Sequence, residues 1–217
     1  MAKSVIIGTI IILAILWCPC SAGARSLSEG EIWVATVQDT INPMVSEYLE
    51  KLIEDAEESG ARFLILELDT PGGLVDSTRV IVQSMMNSGI PVITYVSPSG
   101  ARAASAGMFI TIASHVAAMA PATNIGAAHP VNMGPGGPMK PDTDPDDEGR
   151  YRDVRMNQVA RSDGDVMSDK ILNDTLAWAK TIARNRGRNV DWVVRAVRDS
   201  VSSTESEALD AGVIDLI

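Results

Sequence analysis

Acyl transfer needs a nucleophile, a base beside it, and hydrogen-bond donors aimed at the developing oxyanion. Three segments of the 217-residue chain could supply those parts. The first is Ala101-Arg-Ala-Ala-Ser-Ala-Gly107, between an expected strand and an apolar helix, where small residues let the chain turn sharply and leave the Ser105 hydroxyl reachable. A helix N-terminus there favours negative charge, as in a relaxed nucleophile elbow. The plain alternative is an Ala/Ser helix start with Ser105 as its cap. The second segment is Asp69-Thr-Pro-Gly-Gly73, where Gly72 and Gly73 let backbone amides point outward and a peptide carbonyl come close. An ordinary Pro-Gly turn reads the same way, and a dinucleotide loop is disfavoured because G-x-G-x-x-G is absent.

Lys170 is the third. Beyond the N-terminal segment the chain has only four lysines, at 51, 140, 170 and 180. A helix expected over 166–186 places Lys170 in its first turn, where the dipole opposes a cation, and Met167, Ile171 and Trp178 could desolvate it. Both effects would lower its pKa and make it a better base. A solvated lysine paired with Asp174 is the alternative. His129 competes for the base's role, since a histidine 24 residues after Ser105 could complete a triad. It could equally be a structural or groove-lining residue. His115 precedes a strand and reads as a core-edge residue. Two histidines without ligand spacing predict no metal site.

The elements that must position these residues follow from hydropathy periodicity. Strands are expected over 32–38, 63–69, 91–96 and 116–120, with a short connecting piece at 123–128 and a terminal strand at 212–216. Helices are expected over 40–59, 77–88, 105–113, 166–186 and 190–198, with a capped turn at 203–209. Phe63-Leu-Ile-Leu-Glu-Leu-Asp69 is nearly continuous in apolar residues, as in a parallel sheet. This alternation predicts one α/β domain. From Pro130 to about Asp165 the composition turns to Gly, Pro, Asp and Asn, a long loop between the two candidate catalytic residues that is either a mobile lid or disordered.

Lys3, an uncharged run from Val5 to Trp17, and Ser21-Ala-Gly-Ala24 together read as a secretory signal over residues 1–24, leaving 25–217 as the domain. The apolar run falls short of the roughly 20 residues of a membrane span. An uncleaved anchor is the alternative, and either puts the domain outside the cytoplasm. Both cysteines, Cys18 and Cys20, lie in the signal, so thiol chemistry and disulfides drop out of the processed chain. A net charge of −10 offers no match to a nucleic-acid backbone. Five acids between Asp142 and Glu148 read as a solvated loop.

Taken in order, Asp69–Gly73, Pro98–Gly107, Met119–Ala127 and Lys170-Ile-Leu-Asn followed by Gly187-Arg-Asn resemble the N-terminal protease domain of the NfeD family, related to signal peptide peptidase A and the Clp protease. The resemblance spans nearly all of residues 25–217. It implies an α/β, Clp/crotonase-like fold of repeated β-β-α units and a cofactor-free serine endopeptidase with a Ser-Lys dyad. Ser105 would be the nucleophile and Lys170 the base. The backbone amides of Gly73 and Ala106 would form the oxyanion hole, with Gly72 shaping the turn. It further implies homodimers or higher oligomers, and hydrophobic substrates such as segments of stomatin-like membrane proteins. Many relatives continue into membrane-spanning helices and a small β-barrel, and the loop before Lys170 is longer and more acidic here than the family leads one to expect. Two other readings remain: a catalytically silent module that grips apolar segments, and a crotonase-type acyl-CoA enzyme, which an export signal argues against.

Overall fold

A computed structural model describes residues 30–130 and 163–217. The expected signal, and all but the ends of the long loop, lie outside the described residues.

Two sheets organise the chain. β1 (Ile32–Val37), β2 (Phe63–Leu68), β3 (Val92–Val96) and β5 (Val116–Met119) form a parallel four-stranded sheet in the order β1-β2-β3-β5. β4 (Arg102–Ala104), β6 (Asn124–Gly126) and β7 (Ser202–Thr204) form the second, in which β6 pairs parallel with β4 and antiparallel with β7. Isolated parallel bridges join Ile41 to Gly73 and Thr70 to Ala103. Each strand of the large sheet is thus followed by a short extended piece belonging to the second layer. A helix comes next: α1 (Pro43–Glu58) after β1, α2 (Val75–Asn87) after β2, α3 (Ala106–Ala113) after β3 and β4. This is the repeated β-β-α unit, and the short pieces carry the candidate site.

Local chemistry sets the boundaries. α1 starts at Pro43, three residues later than expected, because the Asn42 side chain accepts the Val45 N–H at 3.0 Å and Pro43 opens the helix without an N–H to satisfy. α4 (Asp163–Asn185) begins three residues earlier than expected. α5 (Val190–Arg198) is capped by Asn189. The turn expected at 203–209 resolves into β7 and α6 (Glu205–Asp210), closed by a capping box between Thr204 and Glu207. The expected terminal strand reduces to one bridge between Leu216 and Ala118.

The core lies between the large sheet and its helices. Leu64, Leu66 and Leu68 point one way from β2 and are buried, as are Leu49 and Ile53 of α1 and Ile81 and Met85 of α2. Each such side chain contributes about 1.5–3 kcal/mol by leaving water. All eight residues of α3 are buried, so this helix runs through the interior.

Behind α3, α4 is fastened by cations at helix ends. Arg186 donates from Nε to the Ala113 carbonyl at 2.7 Å and from Nη2 to the Met85 carbonyl at 3.1 Å. These carbonyls close α3 and α2, where the dipole favours positive charge. Buried Arg188 pairs with Asp215 at 2.6 Å, and the other Asp215 oxygen accepts the Ala117 N–H at 2.8 Å.

Candidate active site

Ser105 sits at the junction of β4 and α3 with φ 50° and ψ −109°, a left-handed conformation that non-glycine residues rarely hold. Its N–H donates to the Gly126 carbonyl at 2.9 Å, and its own carbonyl accepts the Met108 N–H at 3.0 Å. The backbone is therefore held on both sides while the side chain makes no capping bond. Ser105 occupies the cap position without spending its hydroxyl there, which separates it from an ordinary helix cap. The hydroxyl is half-buried at the N-terminus of a wholly buried helix.

Gly72 lies against it. A Cβ at Gly72 would stand 2.7 Å from Ser105 Cβ and 3.2 Å from Oγ, and its φ of +123° also demands glycine. The buried Thr70 hydroxyl fixes this turn, accepting the Gly72 N–H and donating to the Gly72 carbonyl, both at 3.2 Å. Ile41 holds the next residue from the far side. Its N–H reaches the Gly72 carbonyl at 2.8 Å, and its carbonyl accepts the Leu74 N–H at 2.9 Å. In a parallel bridge this pattern turns the Gly73 amide away from Ile41. A Cβ at Gly73 would lie 2.0 Å from the Ile41 oxygen, so only glycine fits. The Ala106 amide, first in α3, has no acceptor within its own helix. Asp69, expected only as part of the turn, accepts the Arg102 N–H at 3.0 Å and ties β4 to the end of β2.

The candidate bases stand differently. Lys170 is the eighth residue of α4, beyond the first turn where a dipole effect acts, and it is exposed together with Met167, which is 55% accessible. The first-turn position and the apolar surroundings expected for Lys170 are therefore not found among the described residues. Its expected alternative partner, Asp174, pairs instead with Arg79. The Arg79 guanidinium also lies 4.4 Å from the Trp178 ring centroid, and Trp178 stacks on Phe109 at 4.4 Å and 14°. This stack couples α4 to α3, one turn along from Ser105. No hydrogen bond joins Lys170 to Ser105 among the described residues. His129 Nδ1 donates to the Val197 carbonyl at 3.1 Å, which ties the ring to α5. His115 is a core-edge residue as expected: its Nδ1 accepts the Val92 N–H at 3.1 Å.

Sequence reading missed Thr70 as the organiser of the turn, and Arg79 and Trp178 as the coupling of α4 to α3. A Thr between a buried strand and Pro-Gly-Gly was the available signal for the first. Nothing in the sequence marks the 95-residue separation between Arg79 and Asp174.

A sequence model of the N-terminal domain of NfeD1b matches residues 31–139. The chain belongs to this family. Membrane-bound protease PH1510 of Pyrococcus horikoshii is 34% identical over 193 residues, covering 88% of this chain and 38% of that protein. Membrane protein NfeD1b of Bacillus subtilis is 34% identical over 97 residues, covering 45% of this chain and 22% of that protein. The chain thus spans well under half the length of these curated relatives. Among solved structures it is similar to a serine-to-alanine mutant of the 1510-N membrane-bound stomatin-specific protease, with TM-score 0.68, 34% identity and coverage of 86% of this chain and 79% of that one. A lysine-to-alanine mutant of the same protease, in complex with a substrate peptide, also matches at TM-score 0.68 and 34% identity, covering 88% of this chain and 76% of that one. The expected family and Clp-like α/β architecture are therefore both borne out. Among the described residues of this NfeD-family chain, no helix is long and apolar enough to cross a membrane.

Proposed function

We propose that this NfeD-family chain is a serine endopeptidase that works through a Ser105–Lys170 dyad and needs no cofactor. The observation carrying the proposal is the locked Ser105 backbone, with its hydroxyl unspent beside Gly72 and the head of α3. Existence of serine and lysine mutants of a 34% identical protease, one with substrate peptide, supports a dyad of these residue types.

In the reaction, the deprotonated Lys170 amine takes the Ser105 hydroxyl proton as Oγ attacks a peptide carbonyl. The carbonyl oxygen, now negative, is met by the Gly73 and Ala106 amides and by the α3 dipole. Lys170 returns the proton to the departing amine. A water, deprotonated by the same lysine, then attacks the acyl carbonyl, and Lys170 passes that proton to Ser105 Oγ as the carboxylic acid leaves. Gly72 keeps the turn close enough for both ends of the attack to be reached. Leu74 and Val75, 49% and 43% accessible directly after Gly73, offer an apolar wall to the substrate chain. They favour a hydrophobic segment, and a stomatin-like membrane protein is the class suggested by the description of the 1510-N protease. The reaction takes place outside the cytoplasm, at or near a membrane.

The test is cleavage of a pool of hydrophobic peptides, stomatin-like segments included, read by mass spectrometry. Ser105→Ala and Lys170→Ala should each lower the rate by at least about 100-fold, the minimum expected for a nucleophile or general base. Cleavage that survives either change would refute the dyad. The lack of a hydrogen bond between Lys170 and Ser105 among the described residues favours one second reading, a silent module that grips apolar segments. Binding of the same peptides, with no cut and with Ser105→Ala indistinguishable from the native chain, would select it.

A further inference from the structure

Three helices carry the proposed site: α2 leaves the Gly72-Gly73 turn, α3 begins beside Ser105, and α4 bears Lys170. A single stack takes one residue from each. The Arg79 guanidinium of α2 lies 4.4 Å from the Trp178 ring centroid of α4, and Trp178 lies 4.4 Å from Phe109 of α3. α3 and α4 run in the same sense, because Phe109 meets Trp178 and, further along both helices, the Ala113 carbonyl meets Arg186. Ser105 and Lys170 therefore both lie on the N-terminal side of the stack, about 6 Å and about 12 Å along their helix axes. Asp174 stands midway between Lys170 and Trp178, four residues from each and so on the same face of α4. It is the only acid three or four residues from Lys170 in the sequence, and α4 on its own would favour a Lys170–Asp174 pair. Arg79 takes the carboxylate instead, from another helix. A guanidinium suits this place, since its face stacks on an indole while its edge donates to an acid.

We propose that Arg79 is a positioning residue for the base: by holding Asp174 toward α2 it keeps that carboxylate off Lys170 and leaves the amine available to Ser105. The catalytic part of this inference rests on the Ser105–Lys170 reading. A carboxylate beside a lysine favours the charged form, which cannot take a proton from serine. It also draws the side chain back along its own helix. Arg79 touches neither substrate nor the reacting atoms and acts through Asp174 alone, while the Trp178 ring under its guanidinium keeps it in place. The sign of this arrangement is unusual for an ion pair, since its use lies in what Asp174 is prevented from doing.

The test is trace labelling of the purified chain with acetic anhydride near pH 8, where only uncharged amines react. Mass spectrometry reads Lys170 against Lys180 as the internal reference, and kcat and KM for peptide cleavage are measured in parallel. Arg79→Gln should lower Lys170 labelling about two- to threefold, the size of a helical pair four residues apart. It should lower kcat by a similar factor with KM unchanged. Asp174→Asn alone breaks the same ion pair yet should leave Lys170 labelling at the native level. Added to Arg79→Gln, it should restore both labelling and kcat, which a merely structural tie between α2 and α4 would not allow. Equal labelling losses in the two single variants, no loss in Arg79→Gln, or no recovery in the double variant would each overturn the proposal. So would a labelling loss that leaves kcat native in a chain whose cleavage requires Lys170. Native cleavage by Ser105→Ala or Lys170→Ala would remove the dyad instead, and the labelling ratios would still decide whether Arg79 withholds Asp174.

Discussion

At the scale of single residues, the site rests on contacts too short to admit one extra methyl group. Ser105 holds its left-handed conformation because Gly126 fixes its amide and Gly72 leaves room for its Cβ. Gly72→Ala must displace the serine, the turn, or both. We expect a turnover loss of about 100-fold, the effect of moving a reacting atom by around 1 Å, and about 2 kcal/mol lower stability from an alanine held at positive φ. Single-turnover cleavage and chemical denaturation measure the two separately, and a variant with native turnover would show that the close approach is not used. Much of this neighbourhood was legible in the sequence, because small residues around a serine and a Pro-Gly-Gly turn have few uses besides close backbone approach. The state of Lys170 was not legible. Its helix begins three residues before the point at which periodicity places it, and that shift removes the lysine from the first turn on which the electrostatic argument stood.

At the scale of elements, α4 is held at one end by its arginines. Asp215 supplies the charge that compensates buried Arg188 and also accepts the Ala117 N–H. Asp215→Ala leaves a cation with 4% side-chain exposure without its partner. Breaking a buried pair from one side costs 3–5 kcal/mol in general, and because Asp215 itself is 43% exposed the loss should lie near the lower end, about 3 kcal/mol. Urea titration checks it, and a loss under about 1 kcal/mol would mean that water replaces the carboxylate. The motif Gly187-Arg-Asn stood out in the sequence as part of a resemblance. Its physical use is the pairing of Arg188 with Asp215, 27 residues further on, and the capping of α5 by Asn189, and only the cap has a sequence signature. The β4, β6 and β7 strands escaped periodicity for a related reason. At three residues each they are too short to show an alternation, and their partners supply the order.

At the scale of the whole molecule, stability should follow a histidine outside the site. The pKa of His115 is lowered, chiefly by burial and secondarily by the Arg186 guanidinium. Its folded form therefore binds fewer protons than the unfolded chain just below pH 6.5, and stability declines as pH falls from about 6.5 toward the depressed folded value. His115→Gln should flatten the dependence of the denaturation midpoint in that window, and an unchanged slope would assign the acid sensitivity to other groups. The fold as a whole was the most legible feature, since continuous apolar strands alternating with amphipathic helices leave few arrangements besides a helix-covered parallel sheet. What periodicity did not disclose is that no described helix covers the second side of this sheet. A strand such as β2 reads as apolar on both sides whether or not a helix of the same chain lies over the second.

The complete burial of α3 has a further meaning for how the two halves of the chemistry can behave. The serine is mounted on the segment least able to open without the whole domain unfolding, whereas the lysine rides on the solvent-facing forward turns of a helix anchored at its far end. One side of the site is a fixed anvil and the other a hammer on a long handle. In the proposed dyad, events at the handle alone would silence or arm the site, and the anvil would keep its shape throughout.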